Sequence, residues 1–388
     1  MIAVRLRACR AALIPSIRVR LARPRGDRPQ TASLPPGSRW GRVRPLARLA
    51  AALIALATPA ASTLAQEPVL NLYSARHYQT DEALYANFTR QTGIRINRIE
   101  SGDEALLERL RTEGRNSPAD VVLLVDAARL WKAQIEGLFQ PLRSATLQAR
   151  IPAHLRGKDD GQGSEWFAVS TRARVIIHNR ALVPADTVRR YEDLANPQLK
   201  GKLCTRSGAH PYMLSLIGAM SEHLGEAAAE QWARGMVANF ARSPRGGDTD
   251  QIKAVATGEC GVALTNTYYL ARLMRSDKPQ DREMLANIGV IMPNQASWGT
   301  HMNISGGGIA RHAPHRDAAA RFLEYLASDE AQRMLADGNN EWPAVPTVSV
   351  KNPALESLGR FRQDSLPVAQ IGRAQVNAAR IIDRAGWR

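Results

Sequence analysis

Cysteine is nearly absent, three residues in 388. That is too few and too scattered for a thiolate zinc site or a disulfide-stapled miniature fold. Aromatic residues are also scarce, at 5% with only eight tyrosines. The one run of three consecutive glycines, Gly306-Gly307-Gly308, lies in an extended stretch and lacks the lysine of a phosphate-cradling P-loop. No Ser or Cys nucleophile stands in a recognisable arrangement with a base, so no catalysis is expected. After Ala65 no apolar run is long enough to cross a bilayer, and no repeat of 20–50 residues is visible.

What is abundant is arginine, and its position matters more than its number. The formal net charge is +16. Residues 1–48 hold twelve arginines, no lysine and one acid, Asp27, which is +11 of that total and leaves +5 for the remaining 340 residues. The basicity belongs to an N-terminal extension, so a DNA-binding face is not indicated.

Arg39–Arg48 reads as a positive n-region, Leu49–Ala61 as an apolar h-region and Thr63-Leu64-Ala65 as a small-residue exit. The pattern is that of a secretory signal with cleavage expected after Ala65, and residues 1–38 look like an Arg/Pro-rich extension ahead of it. Cys9 is lost with this segment. The mature chain keeps Cys204 and Cys260, an even pair that in an exported protein suggests a disulfide, two buried free thiols being the alternative.

The mature chain alternates short apolar runs with amphipathic stretches, the pattern of α/β architecture. Strands are expected at Val69–Ser74, Ile94–Ile99, Ala119–Val125, Trp166–His178, Lys202–Thr205, Gly261–Leu264, Ile288–Ile291 and Asn303–Ile309. Helices are expected at Asp81–Gln91, Asp103–Arg111, Pro211–His223, Glu226–Ala241, Thr249–Thr257, Arg316–Ala327, Glu330–Asp337 and, in the tail, Val368–Arg384. Two such series joined by long extended segments imply two lobes with a cleft between them. The crossings are placed near Ser170–Arg174 and Met292–Pro293, and ligands in such folds sit where strand ends converge. The expected division is 1–65 for the extension and signal peptide, 67–171 plus 293–345 for the N-lobe, and 172–292 plus 346–388 for the C-lobe.

The few tyrosines stand at element junctions. Tyr78 follows the first strand, Tyr212 opens a helix after Gly208-Ala-His-Pro, and Tyr268-Tyr269 open another after Thr265-Asn-Thr. Phenolate is a hard anionic oxygen donor suited to a hard, highly charged cation such as Fe(III). A phenol ionises only near pH 10 in water, but a trivalent ion favours the charged form. Packing at a wet rim, or a sugar or quaternary-amine site, are the other uses of such clusters. Tyr73 points away from Tyr78 by strand alternation and is read as structural; Tyr85, Tyr191 and Tyr325 are read as packing residues. His210 is a loop histidine within range of the cleft, although such histidines are more often solvated, and His301, His312 and His315 are read as surface residues.

The segments Leu72–Tyr78 (LYSARHY), Ser170–Asn179 (STRARVIIHN), Gly201–Tyr212 (GKLCTRSGAHPY), Gly247–Leu273 and Asn303–His315 together resemble the periplasmic ferric-ion-binding proteins of bacterial ABC iron importers, most closely the branch with a His-Tyr pair after the first strand. The likeness runs from Val69 to the C-terminus, in order. It implies a type II periplasmic-binding-protein fold with Fe(III) as transported ligand, held by Tyr78 with His77 beside it, Tyr212, and the Tyr268–Tyr269 pair. It further implies that Arg172 or Arg174, on the extended crossover, offsets phenolate charge or holds a synergistic anion, and that Cys204 and Cys260 form a disulfide of the second lobe. The implied partners are a membrane permease and its ATPase, with the binding protein a monomer. The rival is the same fold binding a polyamine, thiamine or phosphate; a metal-dependent enzyme is less compatible with five protein donors on one ion.

Overall fold

The structure is a computed structural model that describes residues 68–76 and 78–388. The N-terminal extension, the expected cleavage position after Ala65 and His77 therefore lie outside the described residues. Ten strands are present among those residues: β1 Val69–Ser74, β2 Arg95–Glu100, β3 Val121–Leu124, β4 Phe139–Gln140, β5 Phe167–Asn179, β6 Leu203–Cys204, β7 Val262–Asn266, β8 Ile288–Ile291, β9 Met302–Ala310 and β10 Trp342–Pro343. They run in the order β2-β1-β3-β9-β5-β7-β6, with β4 on β9 and both β8 and β10 on β5.

β5 is the hinge of this arrangement. Its first half, Phe167–Ala173, pairs with β9, and its second half, Arg174–His178, pairs with β7. All thirteen residues are buried, including the polar or charged Ser170, Thr171, Arg172, Arg174, His178 and Asn179. Around the first half, Leu70, Leu72, Val121–Leu124, Phe139, Trp166 and Phe322 form one core. Around the second, Ile176, Leu203, Met213, Leu216, Trp232 and Trp387 form another, with Val175, Ile252, Cys260 and Leu270 on the opposite face. Two cores thus share one strand, whose pairing passes from β9 to β7 between Ala173 and Arg174.

Helix boundaries follow from local chemistry. The Asp81–Thr92 and Asp103–Glu113 helices carry acids in their first turn and arginine in their last, as the helix dipole favours. Gly93 closes the first in a left-handed conformation (φ 71°), where the lack of a Cβ removes the strain. The Gly306–Gly308 run sits in β9 because neighbouring strands approach closely; a Cβ on Gly307 would lie 2.8 Å from the Val122 carbonyl oxygen.

Two features depart from the sequence reading. The tail is two helices, Val368–Arg373 and Gln375–Ala385, because Val368 and Ile371 enter the first core whereas Ala378, Ile381 and Ile382 enter the second. His301 is not a surface residue but is 1% exposed. Its N–H donates to Tyr191 Oη at 3.1 Å and its carbonyl accepts from Arg174 N–H at 3.0 Å, which pins it where the chain enters β9. His312 is exposed, and His315 is half-buried with Nδ1 3.0 Å from Asp120 Oδ2.

Candidate functional site

A cavity of about 580 Å³ lies against the ends of β1 and β7 and is lined by Tyr78, Tyr212, Tyr268 and Tyr269 together with His210 and Arg272. Each tyrosine reaches it for a local reason. Tyr78 belongs to the loop between β1 and the Asp81–Thr92 helix. Tyr212 is the second residue of the Pro211–Leu224 helix, where Pro211 fits the first turn and the His210 Nδ1 caps by accepting the Tyr212 N–H at 3.2 Å. His210 is thus a half-buried cap at the cavity wall, and its ring meets Tyr212 edge-on at 4.6 Å. Tyr268 and Tyr269 open the Thr267–Met274 helix directly after β7.

The phenols are close. Tyr212 Oη and Tyr268 Oη are 3.1 Å apart, and the rings of Tyr268 and Tyr269 are 4.2 Å apart at their centres. Tyr73, by contrast, donates its hydroxyl to Glu113 at 2.9 Å, well away from the cluster. Tyr191 donates to the Arg174 carbonyl and Tyr325 to that of Leu84 at 2.9 Å; both are packing residues with satisfied hydroxyls.

Guanidinium groups surround the phenols. Arg172, Arg174 and Arg206 stand 5.7, 5.9 and 5.1 Å from the centre of the Tyr212 ring. Arg76 is 5.0 Å from the ring of Tyr78, and Arg272 is 5.8 Å from that of Tyr269. They differ in what else they hold. Arg174 is committed to buried Asp248 at 2.5 Å and to Asn266 at 3.0 Å, and Arg206 also pairs with Asp248, at 2.9 Å. Burial works against the Asp248 charge, but Arg174 and Arg206 prevail and hold its carboxyl below the usual range. Arg172 donates from Nη1 to Ser305 at 3.1 Å, while its Nε and Nη2 have no hydrogen-bond partner among the described residues.

Burial dominates the ionisation of the phenols. Tyr78 is pushed up to about 12, first by burial and then by Glu341, against the pull of Arg76 and Arg172. Tyr212 and Tyr268 are raised too, by burial first and then by the other tyrosines, Arg172 opposing in both. Without a ligand Tyr78, Tyr212 and Tyr268 therefore form a neutral group at physiological pH. The arginines alone do not ionise it, so a strong external cation is required. Fe(III) meets that requirement, and four hard oxygen donors match its preference. Among the described residues no group of three or more His, Cys, Asp or Glu could hold a metal. Among the described residues the acids on the cavity wall are Glu100 and Asp103, and Asp103 Oδ1 already accepts the Val125 N–H at 2.8 Å; an organic polycation would find few carboxylates among them.

Cys204 and Cys260 form a disulfide, with Cα atoms 5.8 Å apart. It links β6 to the turn before β7, the strand that leads to Tyr268. The sequence reading does not name Arg76, Arg206, Asp248, Arg272 or Glu341. Arg76 abuts the His77-Tyr78 pair and could have been suspected; Glu341 has no local signal.

Comparison with known proteins gives a consistent result. Residues 83–357 match the model of the bacterial extracellular solute-binding protein family. Iron uptake protein A1 of Synechocystis is 44% identical over 330 residues, 85% of this chain and 90% of that protein. The major ferric iron-binding protein of Neisseria meningitidis is 28% identical over 345 residues, 88% and 98% of the two chains. Among solved structures, a Trichodesmium protein (IdiA, FutA) in complex with iron and citrate ligands superposes with a TM-score of 0.78 at 48% identity, covering 82% of this chain and all of that one. Apo FutA2 from Synechocystis gives 0.78 at 44% identity over 83% of this chain and all of that one. The architecture is that of the type II periplasmic binding proteins, and the chain belongs to the bacterial extracellular solute-binding protein family.

Proposed function

We propose that this protein captures Fe(III) outside the cytoplasm and delivers it to the permease of an ABC transporter, which works with its ATPase. The ion is held by the phenolates of Tyr78, Tyr212, Tyr268 and Tyr269, with His77 as a fifth donor. The observation that supports this most is the meeting of four phenols from three separate segments in one cavity, two of their oxygens 3.1 Å apart. The relatives named for iron uptake and ferric iron binding, and the iron-bound neighbour, point the same way.

Binding is an exchange of protons for metal. Each phenol gives up its proton as it meets the ion, so loading releases protons and tightens as pH rises. Four phenolates exceed the ion's +3 charge, and Arg172 offsets the surplus or holds a synergistic anion such as a carboxylate; Arg174 supports the same strand through Asp248. The two lobes, 67–171 plus 293–345 and 172–292 plus 346–388, close on the ion because it binds the closed form more strongly. A monomer in that form then presents both lobes to the permease. Export with cleavage after Ala65 delivers the chain to the periplasm, and no helix among the described residues is long and apolar enough to cross a membrane.

The test is a spectral titration of the mature protein with ferric citrate. Fe(III)–phenolate charge transfer gives a red-orange band, expected in the wild type and lost or strongly shifted in Tyr268→Phe and Tyr269→Phe. A wild-type protein that stays colourless under saturating ferric citrate rules the proposal out.

A further inference from the structure

Glu341 lies buried, 1% exposed, immediately ahead of β10, whose two residues pair with Ser170 and Thr171 of β5. Its Oε2 accepts from Ser170 Oγ at 2.8 Å and from Arg76 Nη1 at 3.2 Å. Its Oε1 has no hydrogen-bond partner among the described residues and stands 4.0 Å from Arg172 Nη1. Arg172, two residues from Ser170 on β5, is wholly buried and likewise has Nε and Nη2 without hydrogen-bond partners there. The Glu341 carboxyl and the Arg172 guanidinium, both buried, thus each keep atoms short of a hydrogen bond, and they approach to 4.0 Å through Nη1, which also donates to Ser305. Buried polar groups left in that condition are costly. A movement of about 1 Å would bring the pair to the roughly 2.8 Å of a charge-assisted bond.

The same guanidinium also lies 5.7 Å from the centre of the Tyr212 ring. Arg172 therefore has two possible partners, the Glu341 carboxyl and the phenols, which become anionic when they hold the ion.

We propose that Glu341 competes with the phenolates for Arg172, drawing the guanidinium away when the cleft is empty and yielding it when the ion is held. This rests on the iron reading above. Glu341 is then a positioning residue that favours the empty state and sets how readily iron leaves. Ser170 restrains it, because the Ser170 hydroxyl ties Oε2 away from Arg172.

The two residues make opposite predictions. Mature protein is loaded with ferric citrate, and decay of the visible band is followed after mixing with excess EDTA. Glu341→Gln keeps the band and should release iron about tenfold more slowly, within the usual range of a coupling between two sites. Ser170→Ala frees the carboxylate to turn to Arg172 and should release iron faster, by roughly threefold. A purely structural loosening of the crossover would move both rates in the same direction, and that result, or rates within about twofold of wild type for both, overturns the proposal. Should Glu341→Gln fail to fold, Ser170→Ala decides alone: faster release supports competition, and unchanged or slower release refutes it. Failure of the underlying iron reading is distinct, since it leaves the wild type itself without a band.

Discussion

Tyr212 and Tyr268 are 56 residues apart in the chain, yet their phenol oxygens lie 3.1 Å from each other, one at the start of the Pro211–Leu224 helix and one at the start of the Thr267–Met274 helix. A single hydrogen bond links the two hydroxyls at the cavity wall. Each remains a ready donor to a third atom placed between them.

That relationship predicts the behaviour of Tyr212→Phe. The apo protein should fold and lose at most about 1 kcal/mol, since one hydrogen bond goes and the ring stays. Ferric affinity should fall by more than the roughly 10–100-fold typical of losing an outer support of a metal ligand. Thermal melts of the apo form beside a ferric titration check both halves.

The ionisation of the cluster sets a pH dependence with two signs. Iron retention falls as pH falls, because protons compete with the ion for the phenol oxygens. For the apo protein the folded phenols ionise later than unfolded ones: Tyr78 is raised from 10.0 to about 12, and Tyr212 and Tyr268 also lie above the ordinary value. Their contribution to stability is complete below pH 10 and is lost as pH rises through the folded values. Denaturant midpoints of the apo protein between pH 7 and about 11 should therefore drop at the alkaline end, and less so in Tyr78→Phe.

Asp248 joins Arg174, Arg206 and the Asn266 N–H at one buried point. Asp248→Asn leaves two guanidinium groups short of their counter-charge and should cost about 3–5 kcal/mol. The carboxyl is held below its ordinary value of 3.8, so its contribution is present above that pH and is lost as pH falls through the folded value. The difference between variant and wild type, measured by denaturant unfolding, should shrink in strong acid.

The Cys204–Cys260 bridge closes a loop with a sequence separation of 56, for which chain entropy gives about 4 kcal/mol. Reduction, or the paired Cys204→Ser and Cys260→Ser change, should lower the melting temperature by several degrees. Because the bridge joins β6 to the approach of β7 and not to the phenols, the ferric band should persist in the reduced protein below its melting point.

The chain's own order was enough to disclose the α/β alternation, the long shared strand and the tyrosines of the cluster. Each of these rests on short-range information: apolar runs, caps, and phenols placed where strands give way to helices. The resemblance to ferric-binding proteins was readable for the same reason, since its motifs lie within contiguous segments. The disulfide was suggested by the even cysteine pair of an exported chain and again by that resemblance.

What surrounds the phenols could not be read that way. Glu341 approaches Arg76 and Arg172 from 265 and 169 residues away, and nothing in its neighbours' identities distinguishes it from a solvated acid. His301 looked like a surface residue because a lone polar side chain carries no mark of burial; the junction of β5 and β9 covers it. The tail split into two helices because two cores, assembled from remote segments, take its successive apolar faces. Side chains can be matched to chemistry by type along the chain, but which buried charges share one space is decided only when the strands come together.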